Sequence, residues 1–332
     1  MTTNARWNPG PGWVLFEVGL PGTETVMLAG GVAYDGRSPI RVLGKDSGPA
    51  YLRLAREAAA TGHRIERRDD DGQMMVAEPH VGPSGAVHAV SAWIGIGGPT
   101  PGLLVDCFDI DYEKRTSTAT GALTELWDDG REVDQEYSLT DFTQNVHPDD
   151  VVKMLKIANG FVGAEPGYLQ GLRWSVKRGG GWAPLQSYGR LVLSEEGNRI
   201  WRGHSLAMTD LAEAPKASRT LFGELLAGRN QQVGIVNLVG PWVIRWMYEG
   251  LPAVAWPTDG DLNSTIDHDR TPGPFDLDAI THLDVDEDLT SELWLKTRAG
   301  ASVRTSAVAH LIDDPSTDVV AAIVMFTILT ED

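Results

Sequence analysis

Residue types that do chemistry occur throughout this chain, but few stand at spacings that chemistry can use. Gly31-Val32-Ala33-Tyr34-Asp35-Gly36-Arg37-Ser38 has the spacing of a phosphate-binding loop. Arg37 replaces its lysine, Asp35 would face the phosphates, and Pro39 disfavours a helix directly after, so nucleotide binding is not expected. Asp259, Asp261 and Asn263 begin like a calcium loop, yet Ser264 stands where the sharp turn needs glycine and Arg270 where the closing glutamate belongs. Asp284, Asp286 and Asp288 also lack that glutamate, so both stretches are read as solvated acidic loops and no metal site is expected. With no Gly-x-Ser-x-Gly elbow, His-Glu-x-x-His pair or Cys-x-x-Cys pair, hydrolase, metalloprotease and zinc chemistry have no anchor, and the chain is expected not to be an enzyme. Of the eight histidines, His147 is read as a helix-start residue and His204 as a surface or hydrogen-bonded strand residue.

A length of 332 residues implies two or three domains with sizeable cores. Apolar residues make up 42% and charged residues 22%, which is ordinary for a globular chain, whereas the net charge of −18 opposes nucleic acid and anionic membranes. Cys107 is the single cysteine, so no intrachain disulfide is possible. Residues 1–12 lack the basic and apolar regions of a signal peptide, and the longest apolar run, 319–329, is about half of what a membrane-spanning helix needs. No membrane span and a cytoplasmic location are the expectations.

The elements that must position any site can be read in order. Strands are predicted over 13–18 and 25–34, a helix over about 49–61 with Leu52, Ala55 and Ala59 on one side and Gly62 as its stop, and strands over 63–68, 73–80 and 86–94. Residues 95–102, with two prolines, are read as a linker, and a strand over 103–111 opens the middle segment. Pro148 suits the first helical position, and Asp149 and Asp150 complement the helix dipole. Val151, Met154, Leu155 and Ala158 then recur at helical spacing before Gly160. Strands over 171–177, 182–193 and 199–208 follow as an antiparallel meander. A connecting helix is predicted within 211–229. Strands over 232–239 and 243–248, an acidic stretch over 258–274, a short helix near Phe275 or Asp276, and strands over 293–298, 302–312 and 319–329 complete the pattern. The hairpin glycines Gly72, Gly181 and Gly300 stand about 110 to 120 residues apart, a spacing of one domain.

The middle segment resembles the second half of a PAS sensor domain. His147-Pro148-Asp149-Asp150 before a helix, Leu172-Arg173-Trp174, Gly181-Trp182, Tyr188-Gly189-Arg190, and Arg202-Gly203-His204-Ser205 leading to Met208-Thr209-Asp210 carry the resemblance. They cover roughly a third of the chain. Where the family usually has an aspartate tying its last strand to an outgoing helix, this chain has Ala207. The whole chain resembles actinobacterial proteins built of three tandem PAS/GAF-like sensor domains without an effector. The expected fold class is therefore α+β: three consecutive modules, 1–98, 99–212 and 213–332, each an antiparallel sheet with helices on one face. The resemblance supplies neither a haem nor a flavin ligand: His204 lies in a predicted strand whereas the family's haem ligands come from the helical side, and Cys107 lies in a predicted strand outside the helical Asn-Cys-Arg context, so no cofactor is expected.

In such a fold a ligand cavity lies between the meander and the helix carrying Val151 and Leu155. Trp174, Ser187, Trp201 and Ser205 are the candidate pocket residues, because aromatic walls with a few hydroxyls suit a small, largely apolar molecule. Two readings of function remain. One is a cytoplasmic signalling protein that binds such a molecule and acts in trans on an unidentified protein partner or by self-association. The other is a ligand-free protein-interaction scaffold of the same folds. The last strand is apolar on both faces, with Ala321, Ile323 and Met325 on one and Val320, Val324 and Phe326 on the other, so Val324 and Phe326 are assigned to a partner surface.

Overall fold

The computed structural model describes residues 12–123, 132, 135–178, 181–208, 231–238, 242–249, 251–258, 260–271, 288–312 and 321–329. Three antiparallel sheets follow one another along the chain. The first holds β1 (Trp13–Glu17), β2 (Thr25–Ala29), β3 (Val32–Arg37), β4 (Ile65–Arg68), β5 (Met74–Val81) and β6 (Val87–Gly95), with α1 (Pro39–Thr61) between β3 and β4. The second holds β7 (Val105–Asp111), β8 (Thr116–Ala119), β9 (Glu136–Ser138), β10 (Leu169–Arg178), β11 (Gly181–Leu193) and β12 (Arg199–Ala207). Two helices, α2 (Leu139–Gln144) and α3 (Pro148–Gly163), lie between β9 and β10 in sequence. The third sheet holds β13 (Gln231–Asn237), β14 (Trp242–Glu249), β15 (Asp288–Lys296), β16 (Ser302–Ile312) and β17 (Ala321–Ile328), with the short α4 (Leu262–Thr265) after β14.

Five strands of each sheet share one order: β2-β1-β6-β5-β4, β8-β7-β12-β11-β10 and β14-β13-β17-β16-β15. The first two sheets add one edge strand each, β3 and β9. The three-sheet α+β plan is thus present as the glycine spacing predicts, and Gly72 and Gly300 both take the left-handed φ (77° and 82°) that such turns demand. The predicted strand 25–34 is two strands, because Gly30 and Gly31 turn the chain at φ 56° and 81°. Helix α1 starts ten residues earlier than its apolar period shows. Gly44, at φ 82° and ψ 171°, breaks the helical path within it and splits the pattern. Its buried stripe is Leu54, Ala55 and Ala58, and Gly62 closes it in the left-handed conformation. Helix α3 runs through Gly160 to Gly163. The predicted connecting helix over 211–229 and the short helix near Phe275 lie outside the described residues.

The chain forms two compact units, Met1–Glu136 with Ala164–Ala214, and Tyr137–Gly163 with Pro215–Asp332. In unit 1 the first and second sheets meet face to face through Trp13, Leu15, Trp93, Val105, Tyr188 and Leu206. The other face of the first sheet packs Phe16, Val26, Val90 and Ala92 against Leu54 and Ala58 of α1. Covered on both sides, β1 is buried at all five positions, so it carries no alternation.

In unit 2 the third sheet packs Val236, Trp246, Leu293, Val324 and Phe326 against Leu262 and Ile266. Val324 and Phe326 are therefore core residues, with 0% and 1% of their surface exposed, and not the partner surface assigned to them. On the other face of β17, Ala321 is buried and Ile323 and Met325 are half-buried. Helix α3 belongs to this unit and not to the unit of the middle sheet that it was expected to cover. The helix before it in the chain, α2, is tied to the third sheet. Strand β14 is an edge, and α2 seals it: Thr140 Oγ1 donates to Val243 O (2.6 Å), Thr143 Oγ1 to Ile244 O, and Arg245 Nη1 to Thr143 O (2.7 Å) and Val146 O. With its amide oriented to satisfy both groups, Gln144 donates to Trp246 O (3.2 Å) and accepts from Trp246 N (3.0 Å). A short amphipathic helix thereby supplies the pairing that an added strand would supply.

Candidate functional site

The middle sheet positions all four pocket candidates on one face. In the register of β10, β11 and β12, Leu172 faces Ser187, Trp174 faces Leu185, Ser187 faces Ser205, and Leu191 faces Trp201. Alternation along each strand keeps these residues on a common side. Trp174 Nε1 donates to Ser187 Oγ at 2.7 Å, and Ser187 Oγ shares a hydrogen bond with Ser205 Oγ at 2.7 Å. All three are buried, so the face holds one polar chain across an otherwise apolar floor that includes Leu185 and Leu191. At the end of the chain Ser205 is paired in register with Asp106. The buried Asp106 carboxylate accepts from Thr120 Oγ1 (2.8 Å) and Ala122 N (3.2 Å), and burial still pushes its pKa up.

Trp201 reaches the same face by a different route. A Cβ on Gly189 would lie 1.9 Å from Trp201 Nε1, and one on Gly203 would lie 2.6 Å from Phe108 Cζ. The two glycines are the bed on which these rings rest, edge to face with centroids 5.2 Å apart. Leu193, on the same face by alternation, is 52% exposed at the end of β11.

The opposite face of the sheet carries a cluster that the sequence did not bring together, and His204, expected to be a surface or hydrogen-bonded strand residue, lies buried within it. Tyr188, His204 and Cys107 are neighbours across β11, β12 and β7 and point into the joint with the first sheet. His204 is fully buried, and neither ring nitrogen has a hydrogen-bond partner; the buried Tyr188 hydroxyl has none either. From the first sheet, His80 Nε2 pairs with Ser91 Oγ at 2.7 Å. His88, at the register shift between β5 and β6, pairs its Nδ1 with Gly203 O at 2.9 Å and holds Nε2 3.6 Å from Asp109 Oδ1. Asp109 is in turn paired with Arg202 at 3.2 Å. Beside this cluster Glu17 and Arg190 form a buried ion pair, 2.5 Å from Nη2 to Oε2 and 3.1 Å from Nε to Oε1, and Arg190 Nη1 donates to Gly167 O at 2.7 Å.

Burial governs the titration of the cluster. It pushes His204 down to about 3, aided by the nearby His80 and His88, and His80 down to about 4. His88 is lowered by burial against the opposing pull of Asp109. The Cys107 thiol is pushed up by burial and by Asp106 and Asp109, which makes it a packing residue rather than a nucleophile. The signal for this cluster was faint. His80 and His88 flank one hairpin, and Cys107 and His204 sit in strands that the sequence does not show to be neighbours.

Other candidates resolve simply. The residues of phosphate-loop spacing form β3 and end at Ser38, the N-cap of α1; the helix does start directly at Pro39, against the expectation, because proline suits the first helical turn. Asp261 caps α4 by accepting from Asn263 N at 3.1 Å, and Asp259, Asp284 and Asp286 lie outside the described residues. His147 is buried just before α3. Among the described residues no group of three or more His, Cys, Asp or Glu is placed to hold a metal ion, and no helix is long and apolar enough to cross a membrane.

No protein-family model matches the chain, and no curated protein matches it. Among solved structures it is similar to an uncharacterized protein from Mycobacterium tuberculosis, with 17% identity over 96% of this chain and 97% of that one and a TM-score of 0.71. That likeness shows the fold alone, along nearly the whole of both chains. A sensory box histidine kinase/response regulator from Burkholderia thailandensis also matches, at 18% identity over 32% of this chain and 78% of that one. So does an RNA-binding light-oxygen-voltage receptor, at 9% identity over 68% and 96%. Their TM-scores, 0.25 and 0.26, carry no argument.

Proposed function

We propose that the chain is a non-enzymatic signalling protein of tandem sensor-type modules, in which the middle sheet presents a small, largely apolar molecule to Trp174, Ser187, Trp201 and Ser205 and the protein acts in trans on a partner. The observation that supports it is the Trp174–Ser187–Ser205 hydrogen-bond chain on a buried apolar face. The line satisfies the buried indole N–H, and a ligand with one polar end would take Ser205's remaining capacity. The partner surface is not Val324 or Phe326, which are core.

The ligand-free interaction scaffold has its own supporting observation. Trp201 and Phe108 lie directly on Gly189 and Gly203, so part of the floor is filled by the protein's own rings. Native mass spectrometry and an absorption spectrum of the purified chain separate the two. A bound mass that Ser205→Val removes while the fold persists supports the sensor. No bound mass, with Ser205→Val changing stability alone, supports the scaffold.

A further inference from the structure

We propose that the joint between the first and second sheets is an acid-sensitive latch, closed while His80, His88 and His204 are neutral and released when they take up protons. The inference goes beyond the ligand reading and does not depend on it, because these side chains lie on the opposite face of the middle sheet.

Three imidazoles from two sheets converge in one layer, His88 and His204 buried and His80 half-buried, and the layer offers a proton little that would hold it. His204 has no acceptor at either nitrogen, and its neighbours across the strands are Tyr188, with ring centroids 6.0 Å apart, and Cys107. Tyr188 and Cys107 are uncharged near neutrality, their pKa values being raised by burial. From the first sheet the nearest titratable groups are His80 and His88, so a second proton in the layer is repelled by the first. His80 faces Ser91, a neutral hydroxyl. His88 alone has a carboxylate at hand, Asp109, and Arg202 already shares it. Glu17 is held by Arg190 in a bidentate pair and is not available to the histidines. His204 is therefore the most sensitive member and His88 the least.

The direction follows from linkage. Each ring keeps a lowered pKa while the joint is closed and returns to its ordinary 6.5 once exposed. The joint is at full strength above pH 6.5 and weakens as the pH falls toward the closed-state values, about 4 for His80 and 3 for His204. Each proton taken up on opening shifts the closed-to-open ratio by about tenfold per pH unit, so three give up to about 1,000-fold per unit.

Cys107 reports the opening, since it is the single thiol of the chain and is buried in this joint. Its rate of modification by 4,4′-dithiodipyridine, divided into the rate of the urea-unfolded chain at the same pH, gives a protection factor. Between pH 7.5 and 5.5 that factor should fall at least 100-fold in the full-length protein. In His204→Phe, which keeps the ring contact with Tyr188, the fall should be about tenfold smaller, and His80→Asn should reduce it as well. Protection at pH 5.5 within about twofold of that at pH 7.5 overturns the proposal from the unsubstituted protein alone, whether or not a variant folds. An equal fall in the unsubstituted protein and both variants also overturns it, because carboxylates and not histidines would then be responsible.

Discussion

In unit 1 two sheets meet across three histidines and a buried ion pair, whereas in unit 2 one sheet closes on apolar side chains and its edge is sealed by α2. Both solutions bury polar groups, but of different kinds. The buried polar side chains of the third sheet, Gln231, Gln232, Asn237 and Thr305, are amides and hydroxyls, which do not titrate. Arg245, which ties β14 to α2, has its pKa lowered by burial only to about 10, so it stays charged. His147 is the one buried histidine of unit 2 among the described residues. The lesson is that a shared strand order does not carry a shared sensitivity: what fills the layer beside the sheet decides what the sheet responds to.

Substitutions sharpen this contrast. The largest effect is expected from Phe326→Glu, which places an unpaired charge beside Trp246 and Trp256, with ring centroids 6.3 and 5.2 Å from Phe326. Unit 2 should lose more than about 4 kcal/mol and with it cooperative unfolding in urea, while thiol protection at Cys107 persists. Next comes Arg190→Met, which leaves Glu17 buried without its partner and should cost about 3–5 kcal/mol at pH 7.5. The double variant with Glu17→Leu should recover most of that loss, and failure to recover would show that the pair does more than neutralise itself. Gln144→Ala frees the buried backbone groups of Trp246 at the β14 edge and should cost about 1–3 kcal/mol by the same denaturation measurement. The smallest effect is expected from His204→Phe at pH 7.5, within about 1 kcal/mol of the parent, because the removed nitrogens have no partners to lose.

The sheets were legible in the sequence where turns and alternation agree. The β10 to β12 meander, the β5–β6 hairpin and the β16 and β17 strands fall within a few residues of the predicted spans. So does the common face of Trp174, Ser187, Trp201 and Ser205, which period-two alternation fixes once the register is known. What alternation cannot show is which layer a face meets. The apolar helix α3 lies between two strands of the second sheet in sequence but belongs to the third sheet's unit. Val324 and Phe326 looked surplus because an apolar residue reads the same whether its cover is a partner or its own domain. The histidine cluster was hidden for the same reason, since His80 and His204 are 124 positions apart and meet only because two sheets stack.

Hydrogen exchange of the full-length chain at pH 7.5 and 5.5, corrected for the intrinsic pH dependence and resolved by peptide, tests the contrast between the units most directly. The account predicts that β6, β7 and β12 lose protection at pH 5.5 while β13, β16 and β17 keep theirs. Equal loss in both sets, or loss confined to the third sheet, would contradict it.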